Sequence, residues 1–474
     1  MVWNVAIITE GSPMIGFGHI VRCSAIGDEF FKRGCDVSYL INGNKLDIPL
    51  NPIRKVQLEN WLDIDVFLCF LEKNKPDIIV IDSYLANENH YKLAYEHCSS
   101  LFIIDDTNRL NYFGGNVINP SFYGEFLNYP VNENITYGLG SSYVIVRDAF
   151  KDIDRVKEIK KEISDVLIIF GGTDILNYTP ATIEMVEKIW PSAKLHIVSS
   201  KPNYNSMNQN IYFYSNLNGE MIKELMLKCD LAISASGQTI YELIATNTPF
   251  LAVKVAENQT NNIKYLEKMG LAISIEKIEN LNKACSEIEK FKVRRNIYER
   301  QKEFKFTGTE KIVTEALSAS LRIRNVNKND IRNIYDLSND YEVRRWSINS
   351  KSIIYENHIQ WFEKVISDES IYYQVIESKR NKVFLGQIRI EKKGEYGLIS
   401  ISFKEELRGK RLASKILDRV INEFLTCSPF CECLIAKVHK KNTASIRLFE
   451  SLDFNCIEEK QDFLQYKLLI TRSN

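Results

Sequence analysis

Runs of four or five residues rich in Ile and Val alternate with segments of helical period through about residue 275, and this alternation constrains the fold more than any other feature. A strand covered on both faces reads as a continuous apolar run, so the pattern predicts parallel sheets flanked by helices. A first set of strands is expected at Val5–Ile8, Val37–Leu40, Ile78–Ile81, Leu101–Ile104 and Tyr143–Val146. The charged stretch KDIDRVKEIKKEISD, Lys151 to Asp165, breaks the pattern and reads as a connection. A second set follows at Val166–Phe170, Leu195–Val198, Ile211–Tyr214, Leu231–Ser234 and Phe250–Val253. Two Rossmann-like parallel-sheet domains, 1–150 and 151–318, are therefore expected to enclose a cleft.

From Lys290 to Ser320 the chain is charged and helix-prone, and its small-residue end reads as a terminal helix and linker. A third unit, 319–474, has a different order. It opens with an extended segment at Leu321–Val326 and continues with two helical patterns through Ile366. Three strands follow at Tyr372–Glu377, Val383–Glu391 and Tyr396–Phe403, then a basic turn, a helix, the strand Cys433–Val438, another helix and a closing strand. That order predicts an α+β domain on a largely antiparallel sheet.

The length of 474 residues suits three units of roughly 150. Lys+Arg and Asp+Glu both total 61, so no net field favours a nucleic acid or an anionic membrane as partner. No secretory pattern and no apolar run of about 18 residues is present, which makes a cytoplasmic location the expectation. The ten cysteines are scattered, as reduced thiols would be, and the spacing of Cys427, Cys431 and Cys433 fits no standard zinc pattern, so no metal is expected.

The first strand feeds Gly11-Ser12-Pro13-Met14-Ile15-Gly16-Phe17-Gly18-His19, after which Ile20, Cys23, Gly27 and Phe30 recur at helical spacing. Gly16 and Gly18 let the backbone turn tightly and approach a ligand, and His19 opens the helix. A helix start disfavours imidazolium, so a neutral His19 able to act as general base is expected. The alternative is that the glycines only shape a turn that His19 caps. The spacing is not a dinucleotide fingerprint, because the second spaced glycine is missing. Asp82-Ser83-Tyr84 ends a strand at its carboxyl edge, where open parallel sheets bind ligands; Tyr84 either faces the cleft or is a surface aromatic.

In the second half Phe170-Gly171-Gly172-Thr173-Asp174 follows one strand and Ser234-Ala235-Ser236-Gly237-Gln238-Thr239 another. Ser236 can cap a helix through Leu243 while Gly237 admits a phosphate, and Glu242, one turn after Thr239, can accept two ribose hydroxyls. The plainer account makes Ser236 a routine cap and Glu242 a solvated charge. Asn258 and Gln259 offer donors and acceptors to sugar hydroxyl and acetamido groups, or serve as cap and turn residues.

These residues resemble a known family. IGFGHIVRC at Ile15–Cys23, which includes Arg22, DSY at Asp82–Tyr84, SGQTIYEL at Ser236–Leu243 and ENQ at Glu257–Gln259 are similar to the UDP-2,4-diacetamido-2,4,6-trideoxy-β-L-altropyranose hydrolases of pseudaminic acid biosynthesis. The resemblance covers residues 1 to 318 and implies a glycosyltransferase-B arrangement of the two domains, as in the peptidoglycan transferase that uses UDP-N-acetylglucosamine. It implies an inverting hydrolase in which water attacks the anomeric carbon and UDP leaves. By the same resemblance His19 is the catalytic histidine, Tyr84 positions sugar or water, and Asn258 contacts substrate. UDP is a good leaving group, so no second catalytic carboxylate beside His19 is expected.

The strand ending at Phe403 leads into Lys404-Glu405-Glu406-Leu407-Arg408-Gly409-Lys410-Arg411-Leu412-Ala413, a basic turn at a helix start that suits a diphosphate. Asn442-Thr443-Ala444-Ser445 opens a later helix that closes at Leu452-Asp453-Phe454. Together they resemble the GCN5-related N-acetyltransferase family, whose loop reads Arg/Gln-x-x-Gly-x-Gly/Ala and whose later helix carries Asn-x-x-Ser. The resemblance implies acetyl-CoA as co-substrate. Three positions depart from the pattern: Arg411 replaces the middle glycine, Asp453 stands where glycine is usual, and Phe449 holds the place of a tyrosine that protonates the thiolate. Glu405 and Glu406 read as surface charges or proton relays, and Trp346, Trp361, Tyr372 and Tyr373 as packing. The pair of resemblances implies consecutive steps on a UDP-activated amino or acetamido sugar. A sugar transferase of the same fold and a nucleotide-sugar sensor with a degenerate acetyltransferase remain the rivals.

Overall fold

The computed structural model describes residues 3–11, 17–43, 55–154, 156–171, 174, 176–199 and 209–470. Its contacts divide the chain into two units, Trp3–Val313 and Thr314–Asn474.

The first unit holds two sheets. One has seven strands in the order Lys55–Leu58, Asp36–Asn42, Asn4–Glu10, Ile78–Asp82, Ser100–Ile104, Gly115–Asn119 and Ile135–Leu139. Every neighbouring pair is parallel. Ile78 to Ile81 are all 0% exposed, because helices cover both faces, and this is why the run is uniformly apolar. The strand order reverses between Asn4–Glu10 and Ile78–Asp82, so the loops leaving these two neighbours diverge and leave a crevice at their carboxyl ends.

The second sheet repeats the plan with six parallel strands, in the order Ile211–Tyr214, Lys194–Val198, Asp165–Ile169, Leu231–Ala235, Phe250–Val253 and Ile273–Ile275. Its switch point lies between Asp165–Ile169 and Leu231–Ala235.

Several expectations need correction. Tyr143–Val146 is not a strand: Ser141–Tyr143 is a turn of 3-10 helix, and Val144, Val146 and Phe150 bury in one cluster with Leu225, Met226, Ile240 and Phe250 of the second half. The apolar signal there marks a segment crossing between halves. Lys55–Leu58, Gly115–Asn119, Ile135–Leu139 and Ile273–Ile275 are strands the pattern did not show, since each is short and polar or lies at an edge. Within the charged connection, Lys157 is buried and its ammonium donates to the carbonyls of Met226, Leu227 and Cys229 at the end of helix Gly219–Lys228. A cation there satisfies carbonyls that the helix leaves unpaired. The expected linker before residue 321 is instead the end of helix Gly308–Ala319, with Ala316 and Leu317 fully buried, and Ser320 leads directly into a strand.

The unit from Thr314 carries a seven-stranded sheet in the order Leu321–Asn325, Ile371–Ser378, Phe384–Lys393, Tyr396–Phe403, Cys433–His439, Phe463–Leu469 and Asn455–Lys460. All pairs are antiparallel except Tyr396–Phe403 with Cys433–His439. Two strands close the sheet where one was expected. Three helices, Ile331–Ser338, Tyr341–Arg344 and Tyr355–Ser367, precede the second strand. Among the described residues no helix is long and apolar enough to cross a membrane.

Candidate active sites

The first site forms at the switch point of the first sheet. Helix Gly18–Lys32 begins beside the end of strand Asn4–Glu10 and places His19 and Arg22, three residues apart, on one face. Strand Ile78–Asp82 brings up Asp82, which is 0% exposed. His19 Nδ1 lies 2.7 Å from Asp82 Oδ1. Arg22 grips the same carboxylate with Nε and Nη2, both at 2.7 Å, and reaches Asp106 Oδ2 with Nη1 at 3.1 Å. The Tyr84 hydroxyl donates to Asp106 Oδ1 at 2.7 Å, and its ring stands edge-on to His19 with centroids 4.5 Å apart. Glu10 holds the turn in place by accepting from the backbone N–H groups of Tyr84 and Leu85 and from the Ser83 hydroxyl.

The electrostatics follow from this geometry. Burial alone lowers the His19 pKa, but the Asp82 carboxylate in contact outweighs it and leaves His19 above its usual value. Burial works against Asp82 ionising, yet Arg22 and His19 hold its carboxyl well below the usual range. Burial and Asp106 push the Tyr84 phenol up, while a hydrogen bond with Asn258 pulls the other way. The helix start alone predicts a lowered His19 pKa; the net shift is upward instead, because a full carboxylate charge at 2.7 Å outweighs the partial charge of a helix end. Asp82, held ionised, is placed to orient the imidazole and not to serve as a second, acid-donating carboxylate. An ionised Asp82 accepts from Nδ1–H, so loss of the imidazolium proton leaves Nε2 as the acceptor, and no described residue bonds to it.

In the second half the motif residues are largely engaged. Gly171 has φ +84 and open space around a would-be Cβ, while Gly16 and Gly172 lie outside the described residues. Gly18 also has open space beside it. The Asp174 carboxylate accepts from the N–H groups of Tyr178 and Thr179 at 3.0 and 2.9 Å, which fixes the start of helix Tyr178–Ile189. Ser236 is not the expected cap: its hydroxyl donates to Val253 O, and the helix starts at Thr239 with Gln238 before it. The reason is that the turn is buried against strand Phe250–Val253, whose last carbonyl takes the hydroxyl. Glu242 is not a solvated charge, since its two oxygens hold Arg147 Nε and Nη2 at 2.6 and 2.8 Å. Gln259 accepts from Val255 N–H, and its amide nitrogen lies 3.7 Å from where a Cβ on Gly237 would sit. Asn258, from the second half, pulls the Tyr84 phenol pKa down against the larger upward effect of burial, and the Tyr84 ring stands beside His19.

The second site lies in the unit from Thr314. Strands Tyr396–Phe403 and Cys433–His439 pair only from Tyr396/Cys433 to Ile399/Ala436. Beyond that point they separate and open a notch between two strands of one sheet, with unpaired backbone on its walls. The basic turn follows Phe403. Gly409 has φ +73 with open space around it, and Arg411 has φ +56, the left-handed conformation a glycine adopts without strain. Among the described residues the N–H groups of Gly409, Arg411 and Leu412 have no acceptor, and helix Ala413–Cys427 starts directly after them. A row of donors at a helix start suits a diphosphate. Lys410 belongs to the same turn, and the Leu412 side chain is buried beneath it. The Arg408 side chain folds back, donating to Phe403 O at 2.7 Å and Asp340 Oδ1 at 2.9 Å, so it braces the loop. Asn442 Oδ1 caps helix Thr443–Glu450 by accepting from Ser445 N–H at 3.1 Å. Phe449 is 3% exposed and packs on Phe454 and Tyr466, a core position. Asp453, like Arg411, takes a positive φ of 62 where glycine is usual.

Residue-type reasoning gave no role to Asp82, Asp106, Glu10, Arg147 or His439. Asp82 had a signal, a carboxylate at the carboxyl end of a central strand. His439 had none: it ends the strand beyond the notch, accepts from Lys441 N–H through Nδ1, and lies between the rings of Trp346 and Phe463. Trp346 packs on His439 at this edge.

Comparison with known proteins places both folds. Residues 166–315 match the Glycosyltransferase family 28 C-terminal domain, and residues 320–455 match the Acetyltransferase (GNAT) domain. The second parallel sheet thus resembles a glycosyltransferase-type domain and the unit from Thr314 an acetyltransferase domain. It is 29% identical over 297 residues to the pseudaminic acid cytidylyltransferase and UDP-2,4-diacetamido-2,4,6-trideoxy-beta-L-altropyranose hydrolase of Helicobacter pylori, which covers 62% of this chain and 51% of that protein. The chain thus spans about half the length of that relative. An uncharacterized protein of Methanocaldococcus jannaschii is 25% identical over 95% of this chain and 96% of its own, and the Bacillus subtilis spore coat polysaccharide biosynthesis protein SpsG is 22% identical over 57% and 83%. Among solved structures, the Campylobacter jejuni N-acetyltransferase PseH in complex with acetyl coenzyme A covers 32% of this chain and 99% of its own at 18% identity, TM-score 0.25.

Proposed function

We propose that the chain is a bifunctional enzyme of pseudaminic acid biosynthesis. Its acetyltransferase domain moves an acetyl group from acetyl-CoA to the 4-amino group of UDP-4-amino-4,6-dideoxy-N-acetyl-β-L-altrosamine. Its first unit then hydrolyses UDP-2,4-diacetamido-2,4,6-trideoxy-β-L-altropyranose to UDP and the free sugar. The observation that carries the hydrolase reading is the His19–Asp82 pair at the switch point, with the Tyr84 ring standing edge-on beside it.

In the acetyl step the acceptor nitrogen attacks the thioester carbonyl, the C–S bond breaks, and CoA leaves with a proton. The notch between Tyr396–Phe403 and Cys433–His439 supplies backbone groups for the pantetheine arm, and the turn Arg408–Ala413 supplies N–H donors for the diphosphate of CoA. In the hydrolytic step Asp82 orients the imidazole, and Nε2 takes a proton from water as its oxygen attacks the anomeric carbon with inversion. The bond from that carbon to the UDP oxygen breaks, and charge collects on the diphosphate. Tyr84, Gly18, Arg22 and Asn258 are the sugar side of this site; Gly171, Ser236, Gly237, Thr239, Glu242 and Gln259 are the nucleotide side. Asp174 acts on it through the loop it caps.

Incubating the full chain with the UDP-amino sugar and acetyl-CoA tests both steps, with products followed by mass and proton NMR. The reading expects an acetylated nucleotide sugar, then UDP and an inverted free sugar with no other acceptor present. The match to a glycosyltransferase domain favours one rival, transfer of the sugar to an alcohol. UDP release only on adding such an acceptor would establish that rival.

A further inference from the structure

The contacts that begin at the His19–Asp82 pair run on to Tyr84 through Asp106, a carboxylate with no part in the hydrolytic step as proposed. Arg22 lies between the two acids, on Asp82 through Nε and Nη2 and on Asp106 Oδ2 through Nη1. Asp106 Oδ1 in turn accepts from the Tyr84 hydroxyl at 2.7 Å. Asp106 follows strand Ser100–Ile104, the neighbour of Ile78–Asp82, so it stands at the same carboxyl edge as Asp82. The Tyr123 hydroxyl donates to its backbone carbonyl at 3.0 Å, which holds the carboxylate from its main chain as Arg22 holds it from its side chain. Tyr84 is half-buried, with its ring edge-on to His19.

A phenol has one O–H to donate and accepts through its oxygen lone pairs. Asp106 takes the O–H, and burial together with this carboxylate keeps the phenol protonated. The Tyr84 oxygen therefore offers only lone pairs to the crevice, and its partner there must be a donor. We infer that Asp106 is a positioning residue for the hydrolytic step, fixing Tyr84 as a hydrogen-bond acceptor for an O–H of the attacking water or an N–H of the sugar's acetamido groups. The inference rests on the UDP-sugar hydrolase reading and adds to it the polarity of Tyr84 and the residue that sets it. Asp106→Asn reverses that polarity. Arg22 Nη1 is a donor and claims the new amide oxygen, so the amide N–H group is left to donate to the Tyr84 oxygen and occupies the lone pair the crevice needs.

The test is UDP release from the diacetamido nucleotide sugar by the full chain, Tyr84→Phe, Asp106→Asn and the double variant, measured across pH, with calorimetric UDP binding by each. Tyr84→Phe and Asp106→Asn are each expected to lower kcat/KM by about tenfold, as for a buried donor left without its acceptor. The double variant is expected to be no worse than either single one, because Asp106 acts through Tyr84. A fall in kcat at unchanged KM assigns the donor to water, and a rise in KM assigns it to an acetamido group. Asp106→Asn should also lower the rate on the high-pH plateau, since the polarity of Tyr84 does not titrate with His19. An effect that vanishes on that plateau, the mark of a charge acting on His19 alone, would overturn the inference. So would losses that multiply in the double variant, or loss of UDP binding by Asp106→Asn, which would make its role structural. Release by the unaltered chain with multiplying losses sinks this inference and spares the hydrolase reading, whereas no release by the unaltered chain sinks both.

Discussion

The crevice at His19 and the turn at Arg408–Ala413 both receive phosphorylated ligands in this account, but they are built from different parts of the chain. At His19 the chemistry lies in side chains: two carboxylates, a guanidinium, an imidazole and a phenol, bonded to one another at 2.7 to 3.1 Å. At the turn it lies in backbone N–H groups, and the one arginine whose side chain is fixed there points back to Phe403 and Asp340. A site made of coupled charges is sensitive to pH and to any single neutralisation. A site made of backbone is sensitive to φ and to an added Cβ, and indifferent to most changes of charge. The two should therefore fail under different substitutions.

The largest effect is expected from His19→Ala, which should lower the rate of UDP release by about 10²–10⁴-fold, the usual worth of a general base, with acetyl transfer unchanged in the same preparation. Parallel loss of both activities would erase the distinction between the sites. Next, Gly409→Trp should lower kcat/KM for acetyl-CoA by roughly 10²-fold while UDP release persists, because φ +73 suits glycine and the side chain would fill the space a diphosphate needs. Arg408→Ala sharpens the contrast. It should loosen the turn and raise KM for acetyl-CoA only a few-fold, since its side chain braces the loop. The smallest effect is a gain. Arg411→Gly should raise thermal stability by up to about 1 kcal/mol, seen as a shift in calorimetric Tm, by relieving a left-handed residue.

The same contrast explains what could be read from the sequence. The strands Val5–Ile8, Ile78–Ile81, Leu231–Ser234 and Phe250–Val253 were legible because burial on both faces leaves a run of Ile and Val with no alternation. Tyr143–Val146 looked identical, since burial in the core between the halves selects the same residues as burial in a sheet. Glycines at 18, 171, 237 and 409 announced turns through their spacing. The partners of the charged groups were not announced, because Asp82 lies 63 positions from His19 and Arg147 lies 95 from Glu242. Local arguments such as the helix start at His19 therefore pointed the wrong way on the direction of its pKa shift.

The pH dependence of UDP release from the diacetamido nucleotide sugar, for the unaltered chain and for Asp82→Asn, tests the central claim most directly. A base works when deprotonated, and Asp82 raises the His19 pKa. The rate should thus climb with pH through a midpoint above 6.5, the ordinary histidine value. In Asp82→Asn that midpoint should move to lower pH while the plateau rate falls. A profile with no limb in this region, or one that Asp82→Asn leaves in place, would contradict the assignment of His19 as the base.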